Sequence, residues 1–134
     1  MKKKLGEGLF SFAKSSLGGL VAGLAFGKFS KFLPVKKLKE TKKVIAFWHP
    51  KPFWEKHILI VPKKPIKKLT ALNKSDFPYI SEVFLVTKEL VKDLGWEKKG
   101  YALQVNGGSR QKVAQLHFHL HCGKKLNGLQ RGNN

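Results

Sequence analysis

The chain has 134 residues and a formal charge of +19 at pH 7, from 27 Lys and Arg against 8 Asp and Glu. That length fits one domain with a real core, and a hydrophobic share of 42% with ten Phe and three Trp excludes a disordered chain. A single cysteine, Cys122, excludes an internal disulfide framework and fits a reducing compartment, while the positive field attracts polyanions: nucleotides, nucleic acid or an anionic membrane surface.

The chain opens "MKKKLGEGLFSFAKSSLGGLVAGLAFGKFSKFLP", which is similar to a signal peptide in its Lys cluster and apolar stretch. Its uncharged run, residues 15–27, is shorter than the roughly 20 apolar residues that span a bilayer. Glu7 and Lys14 interrupt what a signal peptide would keep as one clean hydrophobic region, and no A-x-A site follows. Read as a helix, it places Leu9, Ala13, Leu17, Leu20, Val21 and Leu24 on one face. Gly18, Gly19, Gly23 and Gly27 weaken that helix by about 1 kcal/mol each relative to Ala. The segment is expected to pack on its own domain or a partner, to lie on an anionic membrane surface, or to be a cleaved signal.

Pro34 closes this extension, so residues 1–33, 34–126 and 127–134 read as basic apolar helix, domain and structureless tail. "VIAFWHP" and "HILIVPKK" are apolar runs ended by Pro50 and Pro62 and read as strands, joined by the hairpin-like "KPFW". The Lys-rich runs at 36–43 and 63–68 read as charge clusters. Ser75 or Asp76 can cap a long helix in which Ile80, Val83, Phe84, Thr87, Leu90, Val91 and Leu94 recur at helical spacing, and Gly95 stops it. "YALQV" is a third strand, "NGGSR" its turn and "KVAQLHFHLHC" a fourth strand. Strands interrupted by one long helix predict an α+β domain built on an antiparallel sheet.

Along the fourth strand Gln115, His117, His119 and His121 share one face, and Leu116, Phe118, Leu120 and Cys122 share the other. The apolar row is core. The imidazole row has three readings. One ring can attack phosphorus while its neighbour supplies a proton, because neutral imidazole is nucleophilic near pH 7. His-x-His can chelate zinc with His57 or His49 as third ligand. The rings can also be hydrogen-bonded polar residues on a half-exposed strand.

"GYALQVNGGSRQKVAQLHFHLHCGK", preceded by "AFWHPKPFWEKHILIVPKK", resembles the histidine-triad (HIT) family over about residues 35–125. The family pattern is similar to Q-x-V-x-H-x-H-x-H followed by two residues and a glycine. Anchored on Gln111, Val113 and Gly123, it puts Gln115 at the first triad position, His117 in the middle and His119 third, with His121 outside. The resemblance implies a HIT-like nucleotide-binding fold, usually a homodimer. It also implies attack by His117 on the α-phosphate of a nucleoside phosphate derivative, through a nucleotidyl-histidine intermediate. His119 is then the donor to the bridging or leaving oxygen. An amide at 115 can still donate and accept hydrogen bonds but cannot carry an imidazolium proton.

By the same resemblance Asn106 is a phosphate contact, Gln111 a phosphate or leaving-group contact, and His57 lies beside the triad; Lys112 stands where the family often has a Ser or Thr hydroxyl, and a cation there can grip phosphate as a different donor. The Gly107-Gly108 turn lets backbone N–H groups approach an anion. His49 stands where nucleotide-binding members carry an acidic residue on the ribose hydroxyls, and one imidazole offers at most one acceptor. "HP", "NGG" and "QLHFHL" together look like a bacterial branch of the family. The expected activity is that of a phosphohydrolase or nucleotidyl transferase without metal or cofactor. The rival is a degenerate HIT module that binds a nucleotide or acidic partner without turnover, tethered by residues 1–33. The expected location is the cytoplasm, peripheral on the membrane's inner face if that segment binds lipid; nucleic acid ranks below a nucleotide as partner.

Overall fold

The structure is a computed structural model and describes residues 35–128 together with Gly18, Gly19, Val21 and Gly23. Five strands, β1 (Lys37–Glu40), β2 (Val44–Trp48), β3 (Trp54–Pro62), β4 (Ala102–Val105) and β5 (Phe118–Lys125), form one antiparallel sheet in the order β1-β2-β3-β5-β4. The helix α1 (Phe77–Asp93) joins β3 to β4. This is the α+β architecture that the apolar runs predict.

The centre of the sheet is buried on both faces. Val44, Ala46, Ile58, Ile60, Phe118 and Leu120 meet Val83, Val86, Leu90 and Val91 of α1. Ile45, Phe47, Leu59 and Val61 point to the opposite layer, which is why β2 and β3 read as continuous apolar runs rather than alternating ones. Those runs locate the strands but do not separate their two faces.

The start of α1 differs from expectation. Neither Ser75 nor Asp76 supplies the cap: Asn73 caps a 3₁₀ turn, Lys74–Asp76, that leads into the helix. The Asn73 side chain accepts from the Ser75 N–H at 3.1 Å, and the Asp76 carboxylate accepts from the Asn73 N–H at 3.0 Å. The reciprocal pair satisfies donors at the helix entrance. Gly95 ends the helix as expected, with φ +71°. The Trp96 N–H reaches the Val91 carbonyl at 2.9 Å and the Gly95 N–H that of Lys92 at 3.1 Å, the paired bonds of a left-handed stop.

Two further expectations change. Part of the Lys-rich run at 36–43 is a strand, β1, on the sheet edge, with a bulge between Lys37 and Lys39. Lysines and a bulge protect an edge from pairing with other chains. The fourth strand begins at Phe118, later than the run "KVAQLHFHLHC" suggests. The backbone before it is engaged elsewhere: the Leu116 N–H donates to the Ile66 carbonyl at 2.7 Å.

Of the helical stripe expected within residues 1–33, Leu9, Ala13, Leu17, Leu20 and Leu24 lie outside the described residues. Val21 is helical and fully buried, packed with Ile45, Phe47, Leu59 and Val61. The tail is described only to Gly128. No helix among the described residues is long and apolar enough to cross a membrane.

Candidate active site

Alternation along β5 sends Phe118, Leu120 and Cys122 to the helix layer and His119 and His121 to the other face. Register then brings distant residues together. His57 of β3 lies opposite His121, and Gln104 of β4 lies opposite His119. Beyond His121 the β3–β5 register shifts between Trp54 and Lys56, where Gly123 adopts φ +88°. A Cβ there would stand 3.0 Å from the Glu55 Cβ, so glycine is required both by conformation and by space.

A cavity of about 290 Å³ opens beside the histidines. The β2–β3 connection contributes His49 and Phe53, the start of β3 contributes Trp54, and β4 with its turn contributes Gln104 and Asn106. Arg110, Lys112 and Val113 come from the segment that precedes His117, and His117 and His119 complete the wall.

Hydrogen bonds assign the proton on each ring. His117 Nδ1 lies 2.7 Å from the Gln115 carbonyl, which can only accept, so Nδ1 carries the proton and Nε2 a lone pair. His57 Nδ1 accepts from the Phe53 N–H at 3.0 Å, so its Nε2 carries the proton. That Nε2–H donates to His119 Nδ1 at 2.9 Å, which leaves the His119 proton on Nε2. His119 Nε2 is buried with no hydrogen-bond partner among the described residues. Two adjacent rings thus carry opposite equipment, a nucleophilic lone pair at 117 and an N–H at 119. Their centroids are 5.0 Å apart.

Burial keeps these rings neutral. Desolvation pushes His117 below its ordinary value of 6.5, against an opposing contribution from its bond to Gln115. His119 falls to about 4, first through desolvation and then through the neighbouring His117 and His121. Desolvation also lowers His121, which stacks on Trp54 at 3.7 Å and 6° and is not on the cavity wall.

The other expected residues divide. Asn106, Lys112 and His49 line the cavity; His57 stands behind it as the partner of His119. The Asn106 side chain accepts from the Gln104 amide at 2.7 Å. Gly107 and Gly108 begin the 3₁₀ turn Gly108–Arg110, off the cavity wall. Gln111 donates to the carbonyls of Lys67 and Val113 at 2.7 and 2.8 Å. Gln115 faces the loop after β3: it accepts from the Ile66 N–H at 3.2 Å and donates to the Lys64 carbonyl at 3.0 Å. Phe53, Trp54, Gln104, Arg110 and Val113 line the cavity without having been singled out by sequence. Strand pairing was the available signal for Gln104, which shares a face with His119.

His49, His57 and His119 also form a grouping whose nitrogens lie within 4.8 Å of one another. His49 Nδ1 accepts from the Lys51 N–H at 2.9 Å, so this ring, like His57, holds its proton on Nε2. Both turn their lone pair to a backbone donor. Binding a metal between the three rings would require breaking those bonds, so the donor set does not fit zinc. The same bond occupies the one acceptor that His49 offers a sugar hydroxyl.

The HIT domain profile matches residues 31–126 of the chain. The chain belongs to the HIT family. A HIT-like protein of Buchnera aphidicola is 33% identical over 99 residues, covering 72% of this chain and 88% of the relative. A HIT family hydrolase from Legionella pneumophila superimposes with a TM-score of 0.69 at 29% identity, covering 81% and 96% of the two chains. A histidine triad nucleotide-binding protein from Candida albicans gives 0.60 at 35% identity and 71% of each. The HIT fold, its antiparallel sheet and its main helix are therefore those of the described domain.

Proposed function

We propose that the protein is a nucleotidyl hydrolase or transferase acting at the α-phosphate of a nucleoside phosphate derivative. One observation carries this reading: His117, with its lone pair on Nε2, and His119, with its proton on Nε2, line the same cavity with ring centroids 5.0 Å apart. His117 Nε2 attacks phosphorus, forming an N–P bond as the bond to the leaving group breaks. His119 Nε2–H donates a hydrogen bond to the oxygen on which charge develops. Water then attacks phosphorus, and the N–P electron pair returns to His117. Arg110, Lys112 and the Asn106 amide are close enough to the cavity to offset phosphate charge without a metal.

The same reading includes a homodimer. One sheet edge, β1, is defended by Lys37, Lys39 and a bulge, whereas the other, β4, reads "ALQV" and carries neither charge nor proline. An undefended edge is a template for a second copy.

Mass spectrometry tests both statements. The intact chain mixed with nucleoside phosphoramidates and dinucleotides is expected to gain one nucleotidyl group, to lose it on His117→Ala, and to keep it on His121→Ala. An adduct that survives His117→Ala but disappears with His119→Ala would overturn the assigned nucleophile. The native spectrum is expected at twice the chain mass; a monomer at micromolar concentration counts against the dimer.

A further inference from the structure

His57 is enclosed by rings. Its centroid lies 4.4 Å from that of His49, 5.1 Å from His119 and 6.0 Å from Phe53. Trp54 and His121 meet it edge to face, at 5.1 Å and 86° and at 6.2 Å and 81°. Those two rings also stack on each other, 3.7 Å apart and within 6° of parallel. Trp54 and His57, three residues apart, would point to opposite faces of a regular strand. The irregular register between Trp54 and Lys56 lets both rings reach one side.

Beyond the stacked pair lies a second, shallow cleft of about 230 Å³, lined by Trp54, Tyr101, His121 and Gly123 among others. Tyr101 and Gly123 are exposed, Trp54 and His121 half-buried, and His57 buried. Only Trp54 belongs to the walls of both cavities. The pair thus stands between the open cleft and the His57–His119 hydrogen bond. His121 Nε2 is buried with no hydrogen-bond partner among the described residues, so that atom does not anchor the ring. What the ring meets instead is the indole face.

We propose that the stacked Trp54–His121 pair is a water barrier that keeps the His57–His119 bond dry, and that His121 is the positioning residue that holds the indole in place. The barrier's effect on turnover rests on the nucleotidyl-transfer reading above; the barrier itself does not. His119 Nδ1 accepts the His57 proton only while it is unprotonated, since a proton there sets two N–H groups against each other. Water beside the ring stabilises imidazolium and so works against the bond. Desolvation first, then the neighbouring His117 and His121, hold His119 at about 4. The other titratable and charged groups around it are His57 on β3, His49 before it, and Arg110 and Lys112 across the cavity. Lys125 Nζ lies 5.9 Å from the Trp54 centroid, and Glu55 is turned to the Lys124 N–H. No carboxylate lines either cavity to draw a proton onto His119.

NMR of the full chain with nitrogen-15-labelled imidazoles reads the proton of each ring without any substrate. In the parent at pH 7 the His57 Nε2–H is expected as a slowly exchanging signal, and its absence would overturn the barrier before any variant is made. His121→Ala opens the wall: it is expected to speed that exchange and to raise the pH at which His119 takes up its proton by about one unit. His121→Phe puts a flat ring back on Trp54 without an ionisable group, and is expected to restore slow exchange and bring His119 to within about 0.3 unit of the parent. An unchanged His119 in His121→Ala sinks the proposal. So do equal rises in the two variants, which would assign the effect to the charge of His121 rather than to its ring. With a nucleoside phosphoramidate as substrate, the acid limb of kcat is expected to move up with His119 in His121→Ala and to return in His121→Phe. The expected NMR changes in a chain that turns nothing over would uphold the barrier and remove only the reaction.

Discussion

His119 owes its usefulness to a residue sixty-two positions earlier. The Phe53 N–H fixes His57, and His57 fixes the proton of His119 on Nε2 of a ring that lines the cavity. Without that chain nothing holds the ring in the tautomer that carries its proton on Nε2. His57→Phe is therefore expected to lower kcat by about 100-fold, at the low end of acid–base contributions, while KM moves little. A change confined to KM would make His57 a binding residue instead. The same burial makes stability depend on pH. An unfolded histidine takes up a proton near 6.5, whereas folded His119 resists until about 4. Between those values the unfolded chain binds more protons, so stability present at neutral pH is lost as pH falls through that window. His117, shifted the same way, adds to the slope. Thermal melts from pH 7 to pH 4.5 should show a falling Tm, with a shallower slope in His119→Phe.

The segment that leads into the histidine strand is anchored by an amide. Gln115 is buried and makes bonds to Ile66 and Lys64, while its own carbonyl holds His117. Gln115→Ala strands the Ile66 N–H and the Lys64 carbonyl, at about 1–3 kcal/mol for a buried unsatisfied group, and Tm is expected to fall by roughly 5–10 °C. An unchanged melt would mean that water replaces the amide. This anchoring explains what the sequence did and did not disclose. β2, β3 and α1 were legible because their apolar runs and helical spacing record burial. The late start of β5 was not legible, since it depends on a loop fifty residues away. β1 was hidden because an edge strand needs no apolar run and its lysines resemble any solvated charge cluster. The tautomers were out of reach altogether: they are set by the backbone N–H groups of Lys51 and Phe53 and the carbonyl of Gln115, to which side-chain identity gives no clue.

Across the molecule, one face of the sheet has two tenants. Its middle carries the histidines, and its flank carries Ile45, Phe47, Leu59 and Val61, which Val21 covers from the N-terminal segment. Val113 touches both, packing against this apolar group and lining the cavity. From sequence, every candidate site residue follows Lys43, which suggests that deleting residues 1–33 spares catalysis. The packing of Val21 argues the opposite. Deletion exposes a contiguous apolar patch and removes the support behind Val113, and even Val21→Ala forfeits about 1–2 kcal/mol of buried side chain. The truncated chain is expected to aggregate on gel filtration, and Val21→Asp to melt well below the parent while raising KM through the loosened wall. A soluble truncated domain with the parental Tm and KM would show that Val21 contributes nothing to the fold. The apolar face of the segment would then be free for an anionic bilayer, and cosedimentation with anionic vesicles, weakened but not abolished by salt, would follow from its lysines and leucines.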